Sequence, residues 1–153
     1  MKALLDTDVL IDVALAREPH ATHSAAVLRW AEAGGEAAVA WHTLSDCAYL
    51  LKGGGRPFLL RLLRIVEVAA AGTADARRAM ELPMADLEDS FQAAAALVWG
   101  ADTIVTRNIR DFRRSPVRAL TPAAFLKQMD AKRLAELGGA EPRLRPIRRR
   151  RKP

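Results

Sequence analysis

Four aspartates stand far apart in this chain, each where a strand end or a helix start could bring it to a common point. Asp6 ends the apolar run of LLDTDVLID (4–12), and Asp46 lies in WHTLSDCAYLL (41–51). Asp89 lies in DLEDSFQAAAAL (86–97), and Asp111 in GADTIVTRNIRDF (100–112). Carboxylates gathered at close range repel, and some are forced to keep a proton unless a cation sits among them. An all-oxygen donor set without Cys or His selects Mg²⁺ or Mn²⁺ over zinc. Such an ion can hold a phosphate oxygen, lower the pKa of a bound water and orient an in-line attack. That chemistry needs no Ser, Cys or His nucleophile, and the sequence offers no convincing one. His20, His23 and His42 fall in loops or at helix starts and read as incidental.

Each acid also has a plain structural account. Asp86 and Asp89 could cap a helix, a contribution of about 0.5–1 kcal/mol each. Asp111 could stabilise a turn, and Asp46 could be a solvated helix residue. The joint placement, not any single acid, points to a metal site.

The elements that would position these residues follow from periodicity and breakers. Residues 2–5 read as a first strand, with a short helix from Thr7 or Asp8 through Leu15, on which Asp12 is expected to face solvent. Helical spacing over 22–33 ends at Gly34-Gly35. Residues 36–40 read as a second strand, and 43–51 as a helix with Leu44, Cys47, Ala48 and Leu51 on one face. Gly53-Gly54-Gly55 reads as a loop, too short for a phosphate-binding motif. A helix over 57–63, a strand over 65–69 and a helix over 73–82 follow. A helix with an acidic start is expected over 86–99, with strands over 102–106 and 117–120. Thr121-Pro122 has the form of an N-cap followed by proline at the first helical position, opening a helix to Leu137. Strands that alternate with helices imply right-handed βαβ units and a parallel sheet. In such folds, ligands bind at the carboxyl ends of the strands.

Bulk properties narrow the class. A length of 153 residues with half of them apolar suits one domain with a real core. No apolar stretch approaches the roughly 18 residues that span a membrane. After Met1 and Lys2 the apolar run is too short for a signal peptide. Cys47 stands alone, which excludes an intrachain disulfide and a cysteine-rich zinc site. A cytoplasmic location is expected. The net charge of +6 is uneven: residues 127–153 hold 10 of the 24 Lys and Arg against 3 of the 18 Asp and Glu. That leaves 14 basic and 15 acidic residues in 1–126, so the excess lies in the tail. The tail reads as a solvated end, disordered at its terminus, or as an electrostatic aid to binding a polyanion. Arg outnumbers Lys 19 to 5, which favours fork-like phosphate contacts.

The four segments, in their order and spacing, resemble the PIN-domain ribonucleases, and among them the VapC-type toxins of bacterial toxin–antitoxin pairs. The likeness runs on through LTPAAFL (120–126), so it covers residues 1–126 as a nuclease domain and leaves 127–153 as a helical extension with an Arg-rich tail. The resemblance implies a three-layer α/β/α sandwich around a central parallel sheet and a Mg²⁺- or Mn²⁺-dependent endoribonuclease site. It places the family's acids on Asp6, Asp46, Asp89 and Asp111. Asp6, Asp89 and Asp111 would hold the metal, directly or through water, and Asp46 could position the attacking water. Thr106, Arg107 and Asn108 would contact substrate phosphate or orient Asp111. Single-stranded or looped RNA is the expected substrate. Homodimers and a cognate antitoxin that blocks the site are also implied. Leu10 and Trp30 are either core or part of an antitoxin groove.

Two positions depart from the family pattern. Asp46 stands where Glu is usual, one methylene shorter, and Asp8 stands where Asn is usual. Two other readings remain open. One is a PIN-like module that binds RNA or protein without catalysis. The other is a phosphatase of the haloacid-dehalogenase type, suggested by Asp6-x-Asp8 but lacking the Gly-Thr that follows there and a suitably placed Lys.

Overall fold

The first strand, β1 (Lys2–Leu5), is hydrogen-bonded on both sides, which is why its Ala3, Leu4 and Leu5 are apolar and fully buried. In this computed structural model, which describes residues 1–138, β1 is the centre of a five-stranded parallel sheet of order β3-β2-β1-β4-β5. The other strands are β2 (Glu36–Ala40), β3 (Glu67–Ala69), β4 (Thr103–Val105) and β5 (Ala119–Leu120). Leu4 pairs with Ala38 on one side and Ile104 on the other. The chain lays down β2 and β3 outward from β1, then crosses back to place β4 and β5 on the opposite side. The strand order therefore reverses between β1 and β4, and the crevice at their carboxyl ends is the natural ligand position.

The helices are α1 (Thr7–Ala14), α2 (Ala21–Glu32), α3 (Trp41–Leu51), α4 (Gly55–Leu62), α5 (Thr73–Glu81), α6 (Leu87–Trp99) and α7 (Pro122–Gly138). Side chains alternate across β1, so the two faces of the sheet have separate cores. Leu5, Val39 and Val105 meet Val9, Leu10, Val27, Cys47 and Phe125 on the face covered by α1–α4 and α7. Leu4, Ala38, Ala40 and Ile104 meet Ala93 and Ala96 of α6 on the other. Small residues on both sides let α6 lie close to the strands, which brings its first turn to the sheet's carboxyl edge. These are the three layers expected from the sequence. Leu10 is fully buried, and Trp30 is half-buried, edge-on to Phe125 with ring centroids 4.8 Å apart. Both belong to the core rather than to a groove.

Local signals act as anticipated at several ends. Asp6 and Asp86 cap α1 and α6, and the Thr121 hydroxyl accepts from the Ala124 amide at 3.2 Å to start α7. Gly100 takes the left-handed conformation, φ 74°, that closes α6. Gly35 follows α2 at a point where a Cβ would come within 2.3 Å of the Trp30 ring. The Gly53-Gly54-Gly55 segment differs from its reading as a loop. Lys52–Gly54 form a 3-10 turn and Gly55 opens α4 where an added Cβ would meet Leu51 Cβ at 3.4 Å and Ala48 Cα at 3.5 Å. Strands β3 and β5 are shorter than their apolar runs because each is an edge strand paired on one side only. Among the described residues, no helix is long and apolar enough to cross a membrane. The Arg-rich segment 140–153 lies outside the described residues.

Candidate functional site

Asp6 follows β1 directly and its carboxylate turns back over the start of α1. Its Oδ1 accepts from the Thr7 amide at 2.6 Å and from Gln92 Nε2 at 3.1 Å. Its own amide donates to the Val105 carbonyl of β4, so the residue is pinned at the point where the strand order reverses. Only 6% of its surface is exposed. Burial pushes its carboxyl up to about 8, with the neighbouring Asp8 and then Glu88 adding to the rise. The nearby Thr106 hydroxyl and the hydrogen bond from the Thr7 amide oppose this and do not prevail.

Helix α6 supplies the second group. Asp86 Oδ1 accepts from the Glu88 and Asp89 amides at 2.8 and 3.3 Å, which closes the helix start. One carboxylate oxygen each from Asp86, Glu88 and Asp89 lies within 4.8 Å of the others. The positive end of the helix favours such acids, yet burial still raises Asp89 to about 6, with Asp86, Asp111 and Asp8 contributing. Gln92, one turn further on, is fully buried. Its Nε2 reaches Thr43 Oγ1 at 2.9 Å as well as Asp6, and its Oε1 has no hydrogen-bond partner among the described residues.

Helix α3 lies opposite. Asp46 is half-buried with its Oδ2 unpartnered, and its charge helps raise the carboxyl of Glu88. It also adds to the burial that lifts the Cys47 thiol to about 12, which removes that sulfur as a nucleophile. His42 Nε2 lies 3.7 Å from Glu88 Oε1, but burial lowers the histidine's pKa, so it is no cationic partner at neutral pH.

The segment after β4 closes the site. Thr106 is fully buried; its hydroxyl donates to Asp8 Oδ2 at 3.3 Å and accepts from the Asn108 amide at 2.9 Å. The Asn108 side chain donates to Asp111 Oδ2, and Asp111 stands exposed at the start of a 3-10 turn, Asp111–Arg114. Arg107 is directed inward. Its Nε lies 2.9 Å from Asp12 Oδ2 and 3.6 Å from Asp8 Oδ2, and its amide donates to Asp8 Oδ2 at 2.9 Å. The expectation that Asp12 faces solvent is corrected: it is fully buried, one turn beyond Asp8 on the same face of α1, and takes a further bond from Ser24 Oγ. Helix α1 is packed by α2 and α3, and Thr106 and Arg107 after β4 reach its Asp8 and Asp12, so this short helix has no broad solvent face.

The four expected acids therefore lie in one connected electrostatic field at the sheet edge. They do not form a single tight carboxylate group: of the four, only Asp89 belongs to the close grouping with Asp86 and Glu88. Glu88 and Gln92 were not anticipated. A glutamine set into the alanine run of α6, at the buried spacing 89, 92, 93, 96, was the available signal. The donors suit a hard divalent cation. They are all oxygens, Asp8 Oδ1 and Asp46 Oδ2 are buried without hydrogen-bond partners among the described residues, and without a cation Asp6, Asp8, Glu88 and Asp89 all hold their protons more tightly than usual.

A comparison with curated proteins finds no match. Solved structures with the same fold include a toxin–antitoxin complex from Klebsiella pneumoniae, 23% identical, covering 79% of this chain and 98% of that one with a TM-score of 0.63. VapBC2 from Rickettsia felis, bound to a promoter DNA fragment, is 18% identical over 79% of this chain and 98% of that one, with a TM-score of 0.62. VapC20 from Mycobacterium tuberculosis, a sarcin–ricin loop cleaving toxin, is 16% identical over 67% and 87%, with a TM-score of 0.54. The family model of the PIN domain matches residues 2–110, from the start of β1 to the residue before Asp111. On that match, and with the sheet order and acidic edge described above, this chain belongs to the PIN domain family.

Proposed function

We propose that this protein is a Mg²⁺- or Mn²⁺-dependent endoribonuclease and the toxin of a toxin–antitoxin pair. The observation that carries the reading is the acidic site where the strand order reverses, in which Asp6 and Asp89 are buried and burial with neighbouring carboxylates raises both of their carboxyls. Similar structures that are toxin–antitoxin complexes, and one that is a toxin cleaving the sarcin–ricin loop, support it.

Asp6, Asp89 and Asp111 would hold the ion, with Glu88 and Asp46 completing the pocket. A bound divalent cation supplies Lewis-acid polarisation of a phosphoryl oxygen and a lowered water pKa. Around it, the chain's own groups orient and move protons. Gln92 and the Thr7 amide fix the Asp6 carboxylate in one rotamer. Asn108 steers Asp111, and Thr106 holds the Asn108 amide. Asp46 Oδ2, free of hydrogen bonds, is available to take a proton from the attacking water as the phosphorus–oxygen bond to the leaving nucleotide breaks. Arg107 acts by tying this segment to α1 through Asp8 and Asp12. With Asp8 engaged in that way and the chain in the PIN family, the phosphatase reading falls away.

The partners in this reading are RNA, an antitoxin that covers the site, and a second copy of the chain. Trp41, Tyr49 and Leu50 of α3 and Leu60 of α4 are exposed apolar surface available to a protein partner. The protein would act in the cytoplasm. The test is cleavage of RNA in Mg²⁺ or Mn²⁺ by wild type and Asp6→Asn. Cleavage by wild type that the substitution abolishes is expected. Equal cleavage by both would overturn the assignment, and RNA binding without cleavage at saturating Mn²⁺ would favour a non-catalytic binding module.

A further inference from the structure

The 3-10 turn that presents Asp111 also presents arginines. Arg110 precedes it, and Arg113 and Arg114 lie within it. Between them Phe112, 3% exposed, anchors the turn in the core with Leu4 and Ile104. The turn forms one wall of an open cleft of about 670 Å³, and the segment Pro83–Ala85, which leads into the acidic start of α6, forms the other. Asn108 and Asp111 line the same cleft beside Arg110, Arg113 and Arg114, so it reaches the acidic site at Asp111.

These guanidiniums are not used by the fold. The side chains of Arg110 and Arg113 have no hydrogen bond or ion pair among the described residues, and Arg114 has only a 3.5 Å contact to the Pro83 carbonyl. Three solvated cations beside so many carboxylates would ordinarily pair with them. Here the buried Phe112 holds the turn from the core side and leaves the three arginines exposed, while Asp111 is engaged by the Asn108 side chain. A negatively charged ligand that reaches the acidic site along this cleft meets fork-shaped donors suited to phosphate.

We infer that this cleft is the track for the phosphates of a single-stranded RNA next to the bond to be cut, with Arg110, Arg113 and Arg114 as its contacts. The inference rests on the nuclease reading above for the position of that bond. A phosphate chain that passes through the acidic site must continue beyond it, and this wall is where the adjoining phosphates fall. An acidic protein segment is the competing occupant.

The experiment is fluorescence anisotropy of a labelled single-stranded RNA in EDTA, so that nothing is cleaved, over about 50–200 mM salt. Each phosphate contact to a single strand contributes about 0.7 to the slope of log affinity against log salt, so three lost contacts remove about 2. The variant Arg110→Gln/Arg113→Gln/Arg114→Gln should show that fall, Arg113→Gln alone about a third of it, and Arg64→Gln, which precedes β3 at the amino edge of the sheet, none. The side chains are exposed and unpartnered, so the variants should fold, which circular dichroism checks. An unchanged slope in the triple variant overturns the inference. So does an unchanged slope with weakened binding of a polyglutamate peptide, which assigns the cleft to an acidic protein segment. Cleavage in Mg²⁺ is read in parallel. Wild type that cleaves while the triple variant keeps its slope leaves the nuclease reading standing and removes the track. Wild type that does not cleave while the variant loses slope removes the nuclease reading and leaves the cleft as an RNA-binding surface.

Discussion

Replacing Asp6 by Asn should make the metal-free protein more stable, although it removes a residue at the centre of the site. The Asp6 carboxyl rises from 3.8 to about 8, through burial first and then through Asp8 and Glu88. A folded-state pKa above the unfolded one means that folding favours the protonated form. The group is neutral in both states below about pH 4, and its cost grows as the pH rises toward 8. Near pH 7 the unfolded chain has released the proton and the folded chain keeps it. At 1.36 kcal/mol per pH unit, the cost over the interval from 3.8 to 7 is about 4 kcal/mol. Asparagine keeps an oxygen for the Thr7 amide and for Gln92, so the helix cap survives. For a chain of this size 1 kcal/mol moves the melting temperature by about 2–4 °C, so the gain is on the order of 10 °C. The assay is thermal unfolding by circular dichroism in EDTA at about pH 4 and about pH 7.5, then with Mg²⁺. Asp6→Asn should match wild type at the lower pH and exceed it at the higher one. Mg²⁺ should then raise wild type more than the variant. A difference that is the same at both pH values, or a variant that melts below wild type at both, would refute the electrostatic account of the site.

Two further expectations concern the supporting residues. Gln92→Leu conserves volume and removes a buried unpaired carbonyl oxygen, but it also takes the donor from Asp6 and Thr43, so it should cost about 1–3 kcal/mol. Metal-dependent cleavage should fall by about 10–100-fold because Asp6 loses its orienting donor; unchanged cleavage with an unchanged melting response to Mg²⁺ would show that Gln92 positions nothing. Arg107→Ala removes the ion-pair partner of the fully buried Asp12, and should cost about 3–5 kcal/mol in urea unfolding. The double substitution Asp12→Ala/Arg107→Ala should recover most of that loss; no recovery would mean that the pair is not coupled.

The arginine cleft and the internal Arg107 divide the basic residues of TIVTRNIRDFRR (103–114) into two roles. Arg107 is committed to holding β4's exit against α1. Arg110, Arg113 and Arg114, only a few residues later, are free for a ligand because Phe112 fixes the turn from the other side. From the sequence these arginines look alike, and only their neighbours in space separate them.

The sequence by itself determined the order of elements and the edge on which the acids lie. Short continuous apolar runs, glycine stops, and the caps at Asp86 and Thr121 act over a few residues and need no tertiary partner. An aspartate directly after a buried parallel strand can only emerge at the carboxyl edge. Distant partners decided the rest. Asp12 is buried because α2 and the β4 segment close over α1, and Arg107 is there to meet it. Gln92 gains its meaning from Asp6 and Thr43, 86 and 49 residues away in the chain. Glu88 joins the site because close packing of alanines sets α6 near the sheet. Burial and hydrogen-bond partnership across the chain are sums over neighbours that no local pattern contains, and those sums set which carboxyls are strained, which arginines are engaged and which remain open to a ligand.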